Sequence, residues 1–191
     1  MTEPSQDVDT YRLMRRVRAL LILFVGGLLI SGITAFPLQW EVNLLKQVLV
    51  DQPSGIASLV PGLSEWIARV HAGINETYRN YPFMAYGTDW LAFAHIVIAV
   101  AFWGPIRDPV RNVWVIEFGM IACVLVVPMA LIAGPIRGIP IGWVLIDTSF
   151  GIIGIVPLWL ARRTVGRIMQ TPGALTPDGQ ARTDLNLEPG E

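Results

Sequence analysis

Sulfur and imidazole are scarce in this chain, whose 191 residues include one cysteine, Cys123, and two histidines, His71 and His95. The lone cysteine excludes an internal disulfide and any Cys-x-x-Cys redox pair. Two histidines weaken the case for a metal centre. Catalytic signatures are missing too: there is no P-loop, zincin helix, serine nucleophile elbow or dinucleotide-binding glycine loop. Gly151-Ile-Ile-Gly154 reads as a helix-packing signal and is too short for anything more. No basic stripe with interleaved aromatics occurs either, which removes nucleic acid as a partner.

What the chain has in quantity is apolar: 53% of its residues are hydrophobic and the mean hydropathy is +0.52. Three apolar runs, 89–105, 113–136 and 139–161, are separated only by Ile-Arg-Asp-Pro-Val-Arg-Asn and by Arg137-Gly138. A fourth, Ala19 to Phe36, follows a basic segment. A water-soluble helix keeps a polar face, and none of these runs has one. Roughly 20 apolar residues cross a hydrocarbon core of about 30 Å. The expectation is an all-α membrane protein, a bundle of four transmembrane helices spanning about 19–36, 90–105, 113–136 and 139–161. Residues 1–18 form a cytoplasmic tail with a basic helix start at Tyr11. Residues 19–163 form the membrane domain with its loop 39–88, and 164–191 form a second cytoplasmic tail. The first run exceeds a signal-peptide core in length and continues through Phe36-Pro37-Leu38, so an uncleaved span is the preferred reading.

Net charge is only -1, and its distribution carries the information. Ten basic residues, Arg12, Arg15, Arg16, Arg18, Arg107, Arg111, Arg162, Arg163, Arg167 and Arg182, share one side of a four-span chain. Only Lys46, Arg69, Arg79 and Arg137 fall on the other. The positive-inside rule then predicts a multi-pass protein of the plasma (inner) membrane with both termini cytoplasmic. Trp40, Trp90 and Trp143 toward the outer side, with Trp103, Trp114 and Trp159 toward the inner, read as two aromatic belts.

Within the loop 39–88, Glu41 to Asp51 reads as a short helix ended by Pro53-Ser-Gly55. Leu63, Trp66, Ile67, Val70, Ile74 and Tyr78 then recur at three and four residues. That stripe, with Glu65 and Arg69 opposite, predicts an amphipathic helix on the outer surface or over the bundle mouth. Asn75-Glu-Thr77 matches a glycosylation acceptor by pattern alone. Residues 79–88 read as an irregular aromatic strap. Gly26, Gly27, Ser31 and Gly32 form a small-residue surface on span 1 for close helix approach.

Asp89, His95, Glu117 and Asp147 are the ionisable residues that lipid does not explain. A carboxylate at a span centre costs about 2.5 to 3.5 kcal/mol on insertion scales, so each should face the bundle, a partner or water. At 1.5 Å per residue, His95 lies roughly 8 Å and Asp147 roughly 12 Å below the outer ends of their spans, level with Ser31 and Thr34. Ser31, Thr34, Asp89, His95 and Asp147 therefore form the expected polar pocket near the outer face. Glu117, about 6 Å from the inner end of span 3, occupies a separate position within reach of Arg107 or Arg111. Asp89 also suits the cap of span 2. The plainer alternative is that all of these groups are neutral or hydrogen-bonded packing devices.

An His–Asp pair in an apolar setting relays a proton, binds the head of a quinone-like or isoprenoid ligand, or orients an axial haem ligand. His95 and Asp147 are thus the catalytic candidates, and His95 and His71 the cofactor candidates. The leading expectation is a non-catalytic accessory subunit or lipid-like ligand-binding module, with a protein partner or a second copy in the membrane. The rivals are a proton-transferring enzyme of lipid or isoprenoid substrates and a haem- or quinone-binding redox subunit. Four spans, a basic start, a small-residue first helix and a histidine early in span 2 resemble small cytochrome b-type membrane subunits. Those hold haem between paired histidines, which implies His95 as one ligand here. Spans 1, 3 and 4 contain no second histidine, so the resemblance assigns no family.

Overall fold

Inside lipid every backbone N–H and C=O must bond within its own segment or a closed sheet, and this chain takes the helical solution. The structure is a computed structural model describing residues 4–51 and 62–170, with side chains from Asp9 onward. In chain order it has α1 (Pro4–Ala35), α2 (Leu38–Lys46) followed by a π-turn (Gln47–Asp51), and α3 (Leu63–Asn80). A 3-10 turn (Pro82–Met84) leads to α4 (Ala85–Ala101), then α5 (Trp103–Arg107), α6 (Val113–Ile136) and α7 (Ile141–Gln170). No strand occurs among the described residues.

Four stretches are long and apolar enough to cross a membrane: Asp9–Ala35, Pro82–Arg107, Val113–Ile136 and Ile141–Gln170. The shortest has 24 residues, about 36 Å of helix against a core of about 30 Å. At most 28% of the apolar stretch of any of them is buried within the chain. The rest, Ile22, Leu23, Val100, Met129, Ile132, Phe150 and Ile153 among it, is open apolar surface that lipid solvates and water does not. This is the physical basis for an integral membrane protein.

The third span coincides with α6, and the others outgrow their expected limits. Span 1 is one helix back to Pro4, so the tail expected to turn helical only at Tyr11 is helical from there, while residues 1–3 lie outside the described residues. The strap 79–88 is mostly helical, because α3 runs to Asn80 and α4 begins at Ala85. Span 4 continues past Ala161 to Gln170, carrying Arg162, Arg163 and Arg167 on helix rather than tail. Apolar content reports where lipid is, whereas a helix continues through polar residues until a breaker stops it. The Pro53-Ser-Gly55 stop and the tail beyond Gln170 lie outside the described residues.

The chain forms two compact units, to both of which α1, α4, α6 and α7 supply residues. The first comprises the chain up to Gly26, Ala99–Val124 and the chain from Gly151 on. Its core is Met14, Val17, Leu21, Phe102, Ile116, Leu158, Val165 and Ile168, all at most 2% exposed. The Phe102 ring lies 4.9 Å from that of Phe24. A Cβ on Gly119 would come within 2.7 Å of Phe102 Cζ and 2.9 Å of Leu158 Cδ1, so only glycine leaves room there. The α5–α6 link is held by side chains. Asn112 Nδ2 donates to the Gly104 and Asp108 carbonyls, and Asp108 Oδ1 accepts from the Arg111 backbone N–H.

The second unit is Gly27–Ile98 with Leu125–Phe150. Here Gly32 lets α1 approach α4: a Cβ on it would be 3.0 Å from His95 Cβ and 3.1 Å from the Ala92 carbonyl. The α6–α7 turn rests on Gly138 at φ 68, where the Ile139 N–H reaches Gly134 O at 3.0 Å and the Gly138 N–H reaches Pro135 O at 3.1 Å. This is a Schellman closure, which consumes carbonyls that the helix end leaves without partners. The periodic stripe of 63–78 forms α3, with Leu63 and Ile67 buried and Glu65 and Arg69 exposed. α3 packs against α2 and the π-turn. The Ser64 hydroxyl donates to Leu49 O, and an amide clasp links Gln39, Asn75 and Asn43.

Candidate functional site

In the second unit the polar groups of the spans first satisfy themselves on their own helices. Thr34 Oγ1 donates to Ser31 O, Thr148 Oγ1 to Leu145 O and Ser149 Oγ to Ile146 O. The His95 ring does the same, with Nδ1 2.8 Å from Leu91 O. A carbonyl oxygen only accepts, so Nδ1 carries the proton, and in the neutral ring Nε2 is left as an acceptor. Such back-bonding to the carbonyl three or four residues earlier lets a hydroxyl or imidazole sit in a span.

Asp147 has no such route. Its carboxylate accepts only, and in mid-helix every nearby backbone N–H is already bonded. It lies seven residues into α7, about 9 Å along the axis, half-buried one turn from buried Val144. Among the described residues it makes no hydrogen bond and no ion pair. No hydrogen bond joins it to His95.

Asp89 is not a cap. Helix α4 starts at Ala85, which places Asp89 inside its second turn, while Thr88 Oγ1 donates to Ala85 O at 2.7 Å. Ser31 and Thr34 are exposed, and it is Gly32 between them that faces α4. His71 is half-buried on α3, its carbonyl accepting from Asn75 Nδ2. Among the described residues no three of His, Cys, Asp and Glu are grouped as metal ligands, so Asp89, His95 and Asp147 do not form a three-ligand set.

Glu117, in the first unit, has a partner that the sequence reading did not name. Arg162 Nε donates to Glu117 Oε1 at 2.6 Å, in place of Arg107 or Arg111. Chain proximity favoured the wrong arginines. Arg162 sits 45 residues away on α7, which turns back beside α6, and matching depths across all four spans was the signal available. Arg18 is also committed: its guanidinium donates to the Ile106 and Arg107 carbonyls at the end of α5.

The sequence reading also missed a polar groove in the second unit, an open cavity of about 540 Å³ lined by Gln39, Asn75, Glu76, Tyr78 and Arg79. Asn75 is its fixed wall. Its Oδ1 accepts from Gln39 Nε2 at 2.6 Å, and its Nδ2 donates to His71 O at 2.9 Å and Asn43 Oδ1 at 3.3 Å. Nδ2 is the atom a glycan would take, and here it clasps α2 to α3. Tyr78 is fixed as well: because the Thr88 hydroxyl donates to Ala85 O, the Tyr78 hydroxyl donates to Thr88 Oγ1, 3.2 Å away. The sequence offered only the acceptor pattern and the stripe, and neither says which residues of α2 face α3.

No protein-family model, curated protein or solved structure matches this chain.

Proposed function

We propose that the chain is a non-catalytic accessory subunit of a membrane complex, a four-helix bundle that meets its partner through Asp147. The observation that carries this is Asp147 itself: a half-buried carboxylate in a span with no hydrogen bond or ion pair among the described residues. Lipid gives a carboxylate nothing, so the group is retained where a donor from outside the chain meets it. A partner's arginine, lysine or amide is the fitting chemistry, and the open Nε2 of His95 is a second acceptor for the same partner. The exposed apolar faces of the spans give such a partner contact area, and α3 serves as an outer amphipathic element over the mouth.

The test is the size of the complex extracted in mild detergent from native, Asp147→Asn and Asp147→Ala cells. The native chain should run in an assembly larger than its own mass. Asp147→Ala should release it as a folded, helical monomer, with Asp147→Asn intermediate because its amide still hydrogen-bonds. A monomeric native chain, or an assembly indifferent to both changes, ends this reading. The redox rival separates cheaply, because haem absorbs in the visible.

A further inference from the structure

The groove between α2 and α3 combines charges that nothing among the described residues neutralises. Glu76 and Arg79, three residues apart on α3, both line it, and among the described residues neither makes an ion pair. Lys46, the nearby cation of α2, is closed on Asp51 at 2.7 Å and contributes no free charge. Gln39 donates through Nε2 to Asn75, which leaves its carbonyl oxygen as an acceptor. The lining therefore combines a guanidinium and a carboxylate from α3 with an amide oxygen from α2. The Asn75 hydrogen bonds clasp α2 to α3, and Tyr78 is tied to Thr88, which fixes the backbone that carries these groups.

We propose that this groove holds the head of a zwitterionic phospholipid with a primary ammonium, its phosphate on Arg79 and its ammonium on Glu76 and Gln39 Oε1. Guanidinium and phosphate form charge-assisted hydrogen bonds, and a primary ammonium has three donors for the Glu76 carboxylate and the Gln39 oxygen. A lipid rather than a soluble phosphate ester follows from the residues beside the groove. Trp40 adjoins Gln39 and is 65% exposed, and Tyr81, Phe83 and Met84 follow Arg79 and are at least 55% exposed. Aromatic side chains of this kind sit at headgroup level, with apolar rings available to acyl chains. This site is independent of Asp147 and stands or falls separately.

The test is lipid retention by the full-length protein in detergent, read by native mass spectrometry with phosphatidylethanolamine, phosphatidylcholine and phosphatidylglycerol offered singly. The native chain should retain phosphatidylethanolamine best, because trimethylammonium cannot donate and glycerol carries no cation. Glu76→Gln should cut phosphatidylethanolamine retention about tenfold, the scale of one charge-assisted bond, and leave phosphatidylglycerol unchanged. Arg79→Gln should weaken all three. Both residues are exposed, so helical content should be intact. Should a single variant fail to fold, the double exchange Glu76→Arg with Arg79→Glu keeps one charge of each sign and should retain the phosphatidylethanolamine preference. Retention unchanged in the two neutral variants, or loss of that preference in a folded double exchange, overturns the proposal. So does displacement of the lipid by millimolar phosphoethanolamine, which would assign the groove to a soluble ester.

Discussion

A hydroxyl buried in lipid has a solution within its own helix and a carboxylate does not. Thr34, Thr148, Ser149 and Thr164 all donate to a carbonyl three or four residues back. Glu117 needs Arg162, and Asp147 is left over. Two predictions belong at this scale. Removing either member of the Glu117–Arg162 pair strands the other, at about 40% exposure, without its partner. Glu117→Ala and Arg162→Ala should each destabilise the detergent-solubilised chain by about 1–2 kcal/mol. The double variant should lose less than the sum, and additive losses would mean the contact contributes nothing. Asp147→Asn has the opposite sign for the isolated chain: the new amide N–H groups can bond the carbonyl one turn back, as the threonines do. A gain of about 1 kcal/mol in stability of the monomer, alongside weaker assembly, is the expected pair of results from one set of melting and sizing measurements.

Between elements, the glycines divide into those that permit an approach and those that face open space. Gly119 permits one, since an alanine there must displace Phe102 or Leu158. Gly119→Ala should therefore cost about 1–3 kcal/mol by overpacking. Gly27→Ala meets nothing within 4 Å and should gain up to about 1 kcal/mol from helix propensity. Thermal melts of the two in one detergent check the contrast, and a Gly27→Ala loss would reveal a contact from outside the chain. The sequence marks the small residues 26–32 as one packing surface, but periodicity does not say which of them meets a neighbour, and among the described residues Gly32 does so while Gly26 and Gly27 do not. Element existence was legible for a simple reason: twenty apolar residues have few fates. Span 3 was read to the residue because polar links and a Schellman glycine bound it on both sides. The ends of α1, α4 and α7 were not, because Arg12–Arg18, Tyr86–Asp89 and Arg162–Arg167 favour helix and water at once, and hydropathy registers only the water.

For the whole molecule, the expected polar layer and the observed groove show where reading by depth stops. Depth is linear in sequence, so it placed His95, Asp147, Ser31 and Thr34 at one level. Azimuth depends on packing between helices, and there His95 turned to its own backbone while Gly32, not Ser31, met α4. The charge asymmetry needs no azimuth. The nine arginines of the first unit from Arg12 to Arg167 cluster at the ends of the four apolar stretches, where the acidic residues with described side chains are Asp9, Asp108 and the paired Glu117. Moving that much positive charge across a membrane is unfavourable at insertion, so this end should remain cytoplasmic and α3 should lie outside. With Cys123 replaced by Ala, cysteines introduced as Ser5→Cys and Leu175→Cys should resist an impermeant thiol reagent in intact cells and react after permeabilisation. Glu65→Cys, on the exposed face of α3, should react without permeabilisation. Opposite behaviour of the two terminal reporters would require an odd number of crossings, and one of the four apolar helices would then lie along the membrane rather than through it. Protection of Glu65→Cys with both termini reactive would invert the chain, put the arginine-rich end outside, and place the headgroup groove on the inner leaflet.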